Sequence, residues 1–210
     1  MPIVSEDFGR SVINVNVDDA FFVDTNFIIA TIDQENGRHE ACYHFLSFLL
    51  KNKTKLFICE TVLTEAMHAL GRMIYIENEI AFNYPDFLSL DPQEKRKIKS
   101  KIKSNFGNLP KQSATLPKLA HANEKAKDML KGLVELSIIS IIPSNKEILE
   151  KAMNLSHEIP LLSSDSIILA TALSAEVKGL ISLDGDMKSV PINIYTTQTT
   201  NDEFDEEIYL

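Results

Sequence analysis

One stretch near the start of the chain, AFFVD at residues 20–24, joins a short apolar run to an acidic residue. A run of this kind is typical of a buried strand in a parallel sheet. A second run, GLISL at 179–183, is also followed by an acid, Asp184. Ligands of open parallel sheets bind where strands end and helices begin, so we expect Asp24 and Asp184 to lie at one functional edge.

The rest of the chain alternates between apolar runs and stretches of helical spacing. The apolar runs lie at 21–24, 55–59, 137–142, 179–183 and 192–195. This alternation predicts an α/β protein with a parallel central sheet of about five strands and right-handed crossovers. Residues 11–17 alternate apolar and polar side chains and are predicted to add an edge strand.

Several residues predict where helices begin and end. Thr25-Asn26 is expected to cap a first short helix, and Asp91 a later one that continues with Pro92. Residues 144–147, SNKE, have the pattern of a capping box, in which Ser144 would be the cap. Ser163 or Ser164 is expected to cap the helix that follows Pro160. Gly132 is expected to end a helix over about 116–131.

Two further acids, Glu65 and Asp165, fall in the first turns of predicted helices. Singly, each acid has a structural explanation as a helix cap, a turn residue or a charge that favours a helix N-terminus. Four acids at four element ends would repel one another unless a positive charge lay between them. Mg²⁺ and Mn²⁺ choose oxygen ligands of this kind, so the group indicates a phosphodiester-cleaving enzyme.

Composition limits the class of protein. The chain has 210 residues and a hydrophobic fraction of 44%, as in ordinary globular proteins. Its formal charge of −9 argues against a general nucleic-acid-binding protein. We predict a single domain over 1–198 with a helical insertion at 78–132, and an acidic, mobile tail at 199–210. No apolar stretch reaches the length of a membrane span, and the N-terminal residues lack the pattern of a signal peptide. Two unspaced cysteines fit a reducing cytoplasm.

A strongly basic segment contrasts with the acidic average. Residues 95–103 contain six basic and no acidic residues. Lys95, Arg96, Lys99 and Lys103 are therefore predicted to contact RNA phosphates. The alternative is an ordinary solvated helix face.

The order of the acidic motifs resembles the PIN-domain nuclease family. The quoted motifs are FVDTN at 22–26, Thr64-Glu65, DSIILATA at 165–172 and SLDGD at 182–186. The last two are the most specific, and the resemblance covers about 20–75 and 135–195. It implies a three-layer α/β/α fold and a Mg²⁺- or Mn²⁺-dependent endoribonuclease, as in VapC-like toxins. An antitoxin partner and a homodimer would accompany that role.

The resemblance also implies residue roles. Asp24, Glu65, Asp165 and Asp184 take the family's catalytic acidic positions. Asp24, Asp165, Asp184 and Asp186 would hold metal, and Asn26 and Ser182 would support the site. Two alternatives stay open: a HAD-like Mg²⁺-dependent phosphatase, and a non-catalytic PIN scaffold in RNA or protein assembly.

Overall fold

A computed structural model of the protein describes residues 5–16, 18–111 and 113–209, without the side chains of Lys111 and Lys188. The chain forms two compact units. One spans Met1–Ala66 and Leu133–Leu210, and the other spans Met67–Gly132. All the predicted acidic site residues belong to the first unit, whereas the basic segment belongs to the second.

The first unit contains a parallel sheet. Its strands are β1 (Ser5–Asp7), β2 (Ala20–Val23), β3 (Lys55–Cys59), β4 (Ile139–Ile142), β5 (Gly179–Ile181) and β6 (Ile194–Thr196). Their order is β1-β6-β5-β2-β3-β4, and every pairing is parallel. The predicted parallel α/β fold is confirmed. Within the residues that the structure describes, the sheet has six strands rather than about five, and β2 lies at its centre, between β3 and β5.

Helices flank and connect the strands. They are α1 (Thr25–Ile32), α2 (His39–Lys51), α3 (Glu60–Asn83), α4 (Pro92–Phe106), α5 (Leu116–Val134), α6 (Lys146–Glu158) and α7 (Ser163–Ser174). Helix α3 begins in the first unit and ends in the second, and α5 crosses back. Among the described residues, no helix is long and apolar enough to cross a membrane.

An aromatic cluster fills the core of the first unit beside α1 and α2. Phe8 stacks on Phe45 with ring centroids 4.4 Å apart and meets Phe27 edge-on at 5.8 Å. All three side chains are almost fully buried. Offset and edge-on ring pairs add to the stability that burial itself supplies. The cluster therefore fixes both helices that follow β2 against the sheet.

The two edges of the sheet differ from the prediction. The extra strand lies at Ser5–Asp7, whereas residues 11–16 form no strand and Val17 is outside the described residues. Strand β4 was predicted to be buried, but its Ile141 is 42% exposed. The reason is position, because β4 pairs only with β3 and forms the other edge. An apolar run alone does not distinguish an edge strand from a central one.

Asp91 was predicted to begin one helix and Gly132 to end another, and only the first prediction is confirmed. Asp91 accepts hydrogen bonds from the backbone N–H groups of Gln93 (2.7 Å) and Glu94 (3.0 Å), which confirms the predicted start of α4. The prediction for Gly132 is wrong, since α5 continues through it to Val134. Gly132 has no positive φ, so its conformation does not require glycine.

The serine caps predicted for α6 and α7 are also wrong. At α6 the cap is Asn145, whose Oδ1 accepts the Ile148 N–H at 2.9 Å, and Ser144 precedes it. An asparagine and a serine are comparable caps, so adjacent candidates cannot be ranked from sequence. Helix α7 begins at Ser163 after Leu162 and has no side-chain cap.

The tail, which the sequence predicts to be mobile, packs against other parts of the first unit as far as residue 209. The Asn201 backbone N–H donates to Gly37 O at 2.7 Å, and its side-chain amide donates to Asn36 O at 2.9 Å. The Tyr209 hydroxyl donates to the carbonyl of Phe8. These bonds tie the tail to the α1–α2 turn and to the aromatic core.

In the second unit, α3 and α5 run antiparallel. A Cβ on Gly71 of α3 would lie 2.7 Å from Asn123 Oδ1 of α5, so the two helices approach closely there. Farther along α3, Glu79 pairs with Lys118, which lies earlier on α5. The Phe106 ring of α4 packs on Tyr75 of α3 with centroids 5.6 Å apart.

We predict opposite effects for alanine at two glycines. A Cβ on Gly179 would lie 2.4 Å from Tyr195 Cε2 and 2.6 Å from Asn193 O, whereas one on Gly132 meets nothing within 4 Å. Gly179→Ala should lower the free energy of unfolding by about 1–3 kcal/mol because of overpacking. Gly132→Ala should raise it by about 0.5–1 kcal/mol, since alanine suits a helix interior. Urea denaturation measures both, and equal effects would contradict the packing at β5.

Candidate active site at the carboxyl edge of the sheet

The register of the two central strands sets the position of the site. Val23 of β2 pairs with Ile181 of β5, and the Asp24 N–H donates to Ile181 O at 3.0 Å. Asp24 and Ser182 are therefore neighbours at the carboxyl ends of adjacent parallel strands. This is the edge at which ligands bind in open α/β sheets.

The Asp24 carboxylate is buried, with only 4% of the residue exposed. Its Oδ2 accepts the Ser182 hydroxyl at 2.6 Å, and its Oδ1 accepts the Thr25 N–H at 2.7 Å. Burial raises the pKa of Asp24 to about 6, against the lowering effect of these two bonds and with added repulsion from Asp165 and Glu65. Asp24 also serves as the N-cap of α1, which corrects the prediction that Thr25-Asn26 does so.

Glu65 reaches the same edge from α3. Its Oε2 accepts the Thr25 hydroxyl at 2.7 Å, across 40 residues of sequence. The residue is half-buried, whereas the flanking Thr64 is exposed. Thr25 thus binds two acids at once, Asp24 through its backbone and Glu65 through its side chain.

The loop after β5 carries Asp184 and Asp186. Asn26 Oδ1 accepts the Leu183 N–H at 2.9 Å, and the Asp184 N–H donates to Ser182 Oγ at 3.1 Å. The Asp186 N–H donates to Asp184 Oδ1 at 3.0 Å. The two residues predicted as supports, Asn26 and Ser182, therefore bind the backbone N–H groups of Leu183 and Asp184.

Asp165 lies in the first turn of α7. Burial raises its pKa, and repulsion from Asp184, Glu65 and Asp186 raises it further. Repulsion between carboxylates requires that they lie near one another. Asp165 therefore lies near Glu65 of α3 and near the loop that carries Asp184 and Asp186.

The structure thus brings the five predicted acids into electrostatic reach, but not into a closed ligand set. In the described part of the chain, no three His, Cys, Asp or Glu side chains are close enough to hold a metal ion. Asp24 and Glu65 are instead held by hydroxyl and amide groups. The donors are all oxygens with excess negative charge, and this is the chemistry that suits a hard divalent cation.

Two residues at this edge were not assigned a role in the site from sequence. Thr25 was predicted only as a helix cap and as part of a motif, and its bond to Glu65 depends on a contact that spacing does not reveal. Arg38 Nη1 donates to Leu183 O at 3.2 Å and to Thr197 O at 3.5 Å. It was missed because it lies in the turn before α2, outside every motif. A positive guanidinium thus lies beside the loop that carries Asp184.

The basic residues predicted to contact RNA lie on α4 in the second unit. Lys95 Nζ donates to Leu88 O at 2.8 Å and lies 6.0 Å from the centre of the Phe87 ring. Arg96, Lys99 and Lys103 are exposed. Lys95 has a structural role, and the RNA contact remains a prediction for all four residues.

A parallel α/β fold with acids at the carboxyl ends of β2 and β5, and on the helices beside them, defines the class of this protein. The model of the PIN domain family matches residues 21–193, so the chain belongs to the PIN domain family. This match includes every acid described above. Membership in this family supports a nuclease, and therefore a hydrolase, as the class of enzyme.

Two solved structures are similar to the chain in fold. VapBC2 from Rickettsia felis, bound to a DNA fragment from its promoter, has 14% identity and a TM-score of 0.49, with coverage of 84% of this chain and 98% of that one. Mycobacterium tuberculosis VapC20, a toxin that cleaves the sarcin–ricin loop, has 15% identity and a TM-score of 0.49, covering 82% and 95%. A comparison with curated proteins gave no match.

We predict that Asp24→Asn stabilises the metal-free protein above pH 6. The folded-state pKa of about 6 exceeds the ordinary 3.8, so the protonated form of Asp24 favours the folded state. This stabilisation is fully present below pH 4 and is lost as pH rises through 6. The variant should gain about 1–3 kcal/mol over wild type at pH 7.5 and little at pH 4. Urea denaturation in EDTA measures this, with the exposed tail residue Asp202→Asn as the charge-matched control. A difference that does not change with pH would contradict the raised pKa.

Proposed function

We propose that this protein is a divalent-metal-dependent endoribonuclease that hydrolyses RNA phosphodiesters at the carboxyl edge of its sheet. The observation that carries the proposal is the geometry of the acids at this edge: Asp24 is buried and accepts the Ser182 hydroxyl at 2.6 Å, and Glu65 accepts the hydroxyl of the adjacent Thr25 at 2.7 Å. Burial and the surrounding carboxylates also raise the pKa of Asp24 and Asp165. Carboxylates that lie close together, although burial and mutual repulsion destabilise the fold, are typical of functional sites. Membership in the PIN domain family supports the same reading.

Asp24, Asp165 and Asp184 would hold Mg²⁺ or Mn²⁺, with Asp186 as an outer ligand. A cation bound there would activate a water for attack and neutralise charge on the scissile phosphate. The proposal needs no covalent protein nucleophile. Arg38 fixes the carbonyl that precedes Asp184 and so keeps that acid at the sheet edge.

Glu65 would orient the attacking water and accept its proton. The Thr25 hydroxyl supports this role, because it holds one carboxylate oxygen of Glu65 at 2.7 Å. Ser182 has the same effect on Asp24, at 2.6 Å. A carboxylate fixed by a hydrogen bond loses less freedom when substrate binds, which favours correct orientation.

We further propose a VapC-like role as the toxin of a toxin–antitoxin pair, with an antitoxin protein as partner, a homodimeric state and a cytoplasmic location. The two cysteines, Cys42 and Cys59, are buried free thiols, as expected of a reducing compartment. The HAD-like phosphatase alternative loses its basis, since the chain belongs to the PIN domain family. A cleavage assay decides between an enzyme and a non-catalytic PIN scaffold.

We predict that Asp24→Asn, Asp165→Asn and Asp184→Asn each lower RNA cleavage at least about 100-fold, because each removes a charge that the cation requires. Cleavage of a labelled single-stranded RNA in Mn²⁺ provides the measurement, with circular dichroism to show that the variants are folded. Asp202→Asn should cleave at the wild-type rate. Full activity in Asp24→Asn or Asp184→Asn would overturn the assignment.

A thermal assay tests for the metal without reference to activity. Millimolar Mn²⁺ should raise the Tm of wild type by about 2–6 °C, because a ligand that binds only the folded state stabilises it by mass action. The shift should be smaller in Asp165→Asn, which lacks one proposed ligand, and unchanged in Asp202→Asn. Equal changes in Tm on addition of Mn²⁺ in all three proteins would mean that the ion binds elsewhere.

A further inference from the structure

The second unit carries a charge opposite to that of the rest of the chain. Met67–Gly132 contains 12 Lys and Arg against 7 Asp and Glu, a formal charge of +5. Because the whole chain carries −9, the remainder carries −14. A polyanionic ligand would therefore bind more favourably to this unit than to the remainder.

An open cavity of about 180 Å³ lies on this unit between α3 and α5. Its lining residues are Asn78, Glu79, Phe82, Lys118 and His121. Pockets for whole small molecules are typically about 300–1,000 Å³. The smaller cavity here suits one planar group of a larger ligand.

The lining residues fall at helical spacing on two facing helices. Glu79 and Phe82 are three residues apart on α3, as are Lys118 and His121 on α5. Residues three apart share one helix face. Two helix faces thus present an aromatic ring, an ammonium group and an imidazole to one cavity.

Phe82 is the unusual member of this set, because the residue is 79% exposed. Lys118 Nζ lies 5.2 Å from the centre of its ring. The same ammonium pairs with Glu79, whose side chain is only 16% exposed. The half-buried glutamate therefore fixes the lysine beside the ring, and most of the phenyl surface stays open to solvent.

We propose that this cavity is a binding site for one unpaired base of single-stranded RNA, which stacks on Phe82 while Lys118 and His121 contact the adjoining phosphates. Stacking on an exposed aromatic side chain and cation contacts to the backbone are the two elements of single-strand recognition. RNA is chosen as the ligand because it is the substrate class of the proposed function. The positive charge of the unit favours RNA over a neutral apolar protein surface, which would use Phe82 without Lys118.

The test measures binding rather than cleavage. A fluorescein-labelled 12-nucleotide oligouridylate is titrated with the full chain in EDTA and followed by anisotropy at two or more salt concentrations. Phe82→Ala should weaken binding about tenfold, within the range known for loss of one stacked base. Lys118→Gln should weaken it several-fold and lower the slope of log K against log salt by about one.

Matched controls come from the same unit. Leu88→Ala removes another highly exposed apolar side chain, which is 87% exposed and lies outside the cavity. Lys125→Gln removes an exposed charge from α5 outside the cavity. Both should bind within about twofold of wild type, and a duplex of the same length should bind Phe82 variants and wild type equally, because its bases are not free to stack.

The outcomes separate this inference from the proposed function. Unchanged RNA affinity in Phe82→Ala, or no measurable binding by wild type, overturns the inference, and the first result would favour a protein partner at this surface. If Phe82 is needed for binding but wild type cleaves no RNA with Mn²⁺, the inference stands and the nuclease proposal fails. If wild type cleaves and Phe82→Ala binds normally, the reverse holds.

Discussion

The parallel pairing of β2 with β5 is the constraint on which the site depends. It places Asp24 beside Ser182 although 158 residues separate them in sequence, and a 2.6 Å hydrogen bond joins their side chains. A shift of one residue in register would turn each side chain to the opposite face of the sheet. The apolar residues of both strands prevent such a shift, because Phe21, Phe22, Leu180 and Ile181 are fully buried. The geometry of the acids is therefore a result of core packing.

The same arrangement works against stability. Burial and mutual repulsion raise the pKa of Asp24 and Asp165, so their ionised forms oppose folding at neutral pH. Hydrogen bonds from Thr25 and Ser182 offset part of this effect. Proteins accept such local strain where function requires it, and the surrounding core compensates. The aromatic cluster around Phe8 and Phe45 lies in the same unit and supplies stabilising burial.

Much of this could be predicted from sequence, for identifiable reasons. Asp24 directly follows the apolar run that forms β2, and Asp184 follows the run whose first part, Gly179–Ile181, forms β5, so both runs indicated a strand end near an acid. Asp91 was identified as a cap because Pro92 follows it. The choice between Ser144 and Asn145 could not be made, since both side chains cap equally well. The packing of Asn201 and Tyr209 was also unpredictable, because their partners lie more than 160 residues away and leave no periodic trace. The bond from Thr25 to Glu65 has the same long-range character.

Strand β1 pairs with β6, and the hydroxyl of Tyr209 binds the carbonyl of Phe8. Strand β1 can therefore pair with its neighbour only after residues 194–196 have been synthesised. During synthesis, β1 cannot pair until β6 has left the ribosome. Asp24 likewise cannot form its hydrogen bond with Ser182 until residue 182 has been synthesised. Contacts this distant in sequence also form slowly. A nascent chain therefore has no complete acidic edge until residues 182–186 have been synthesised.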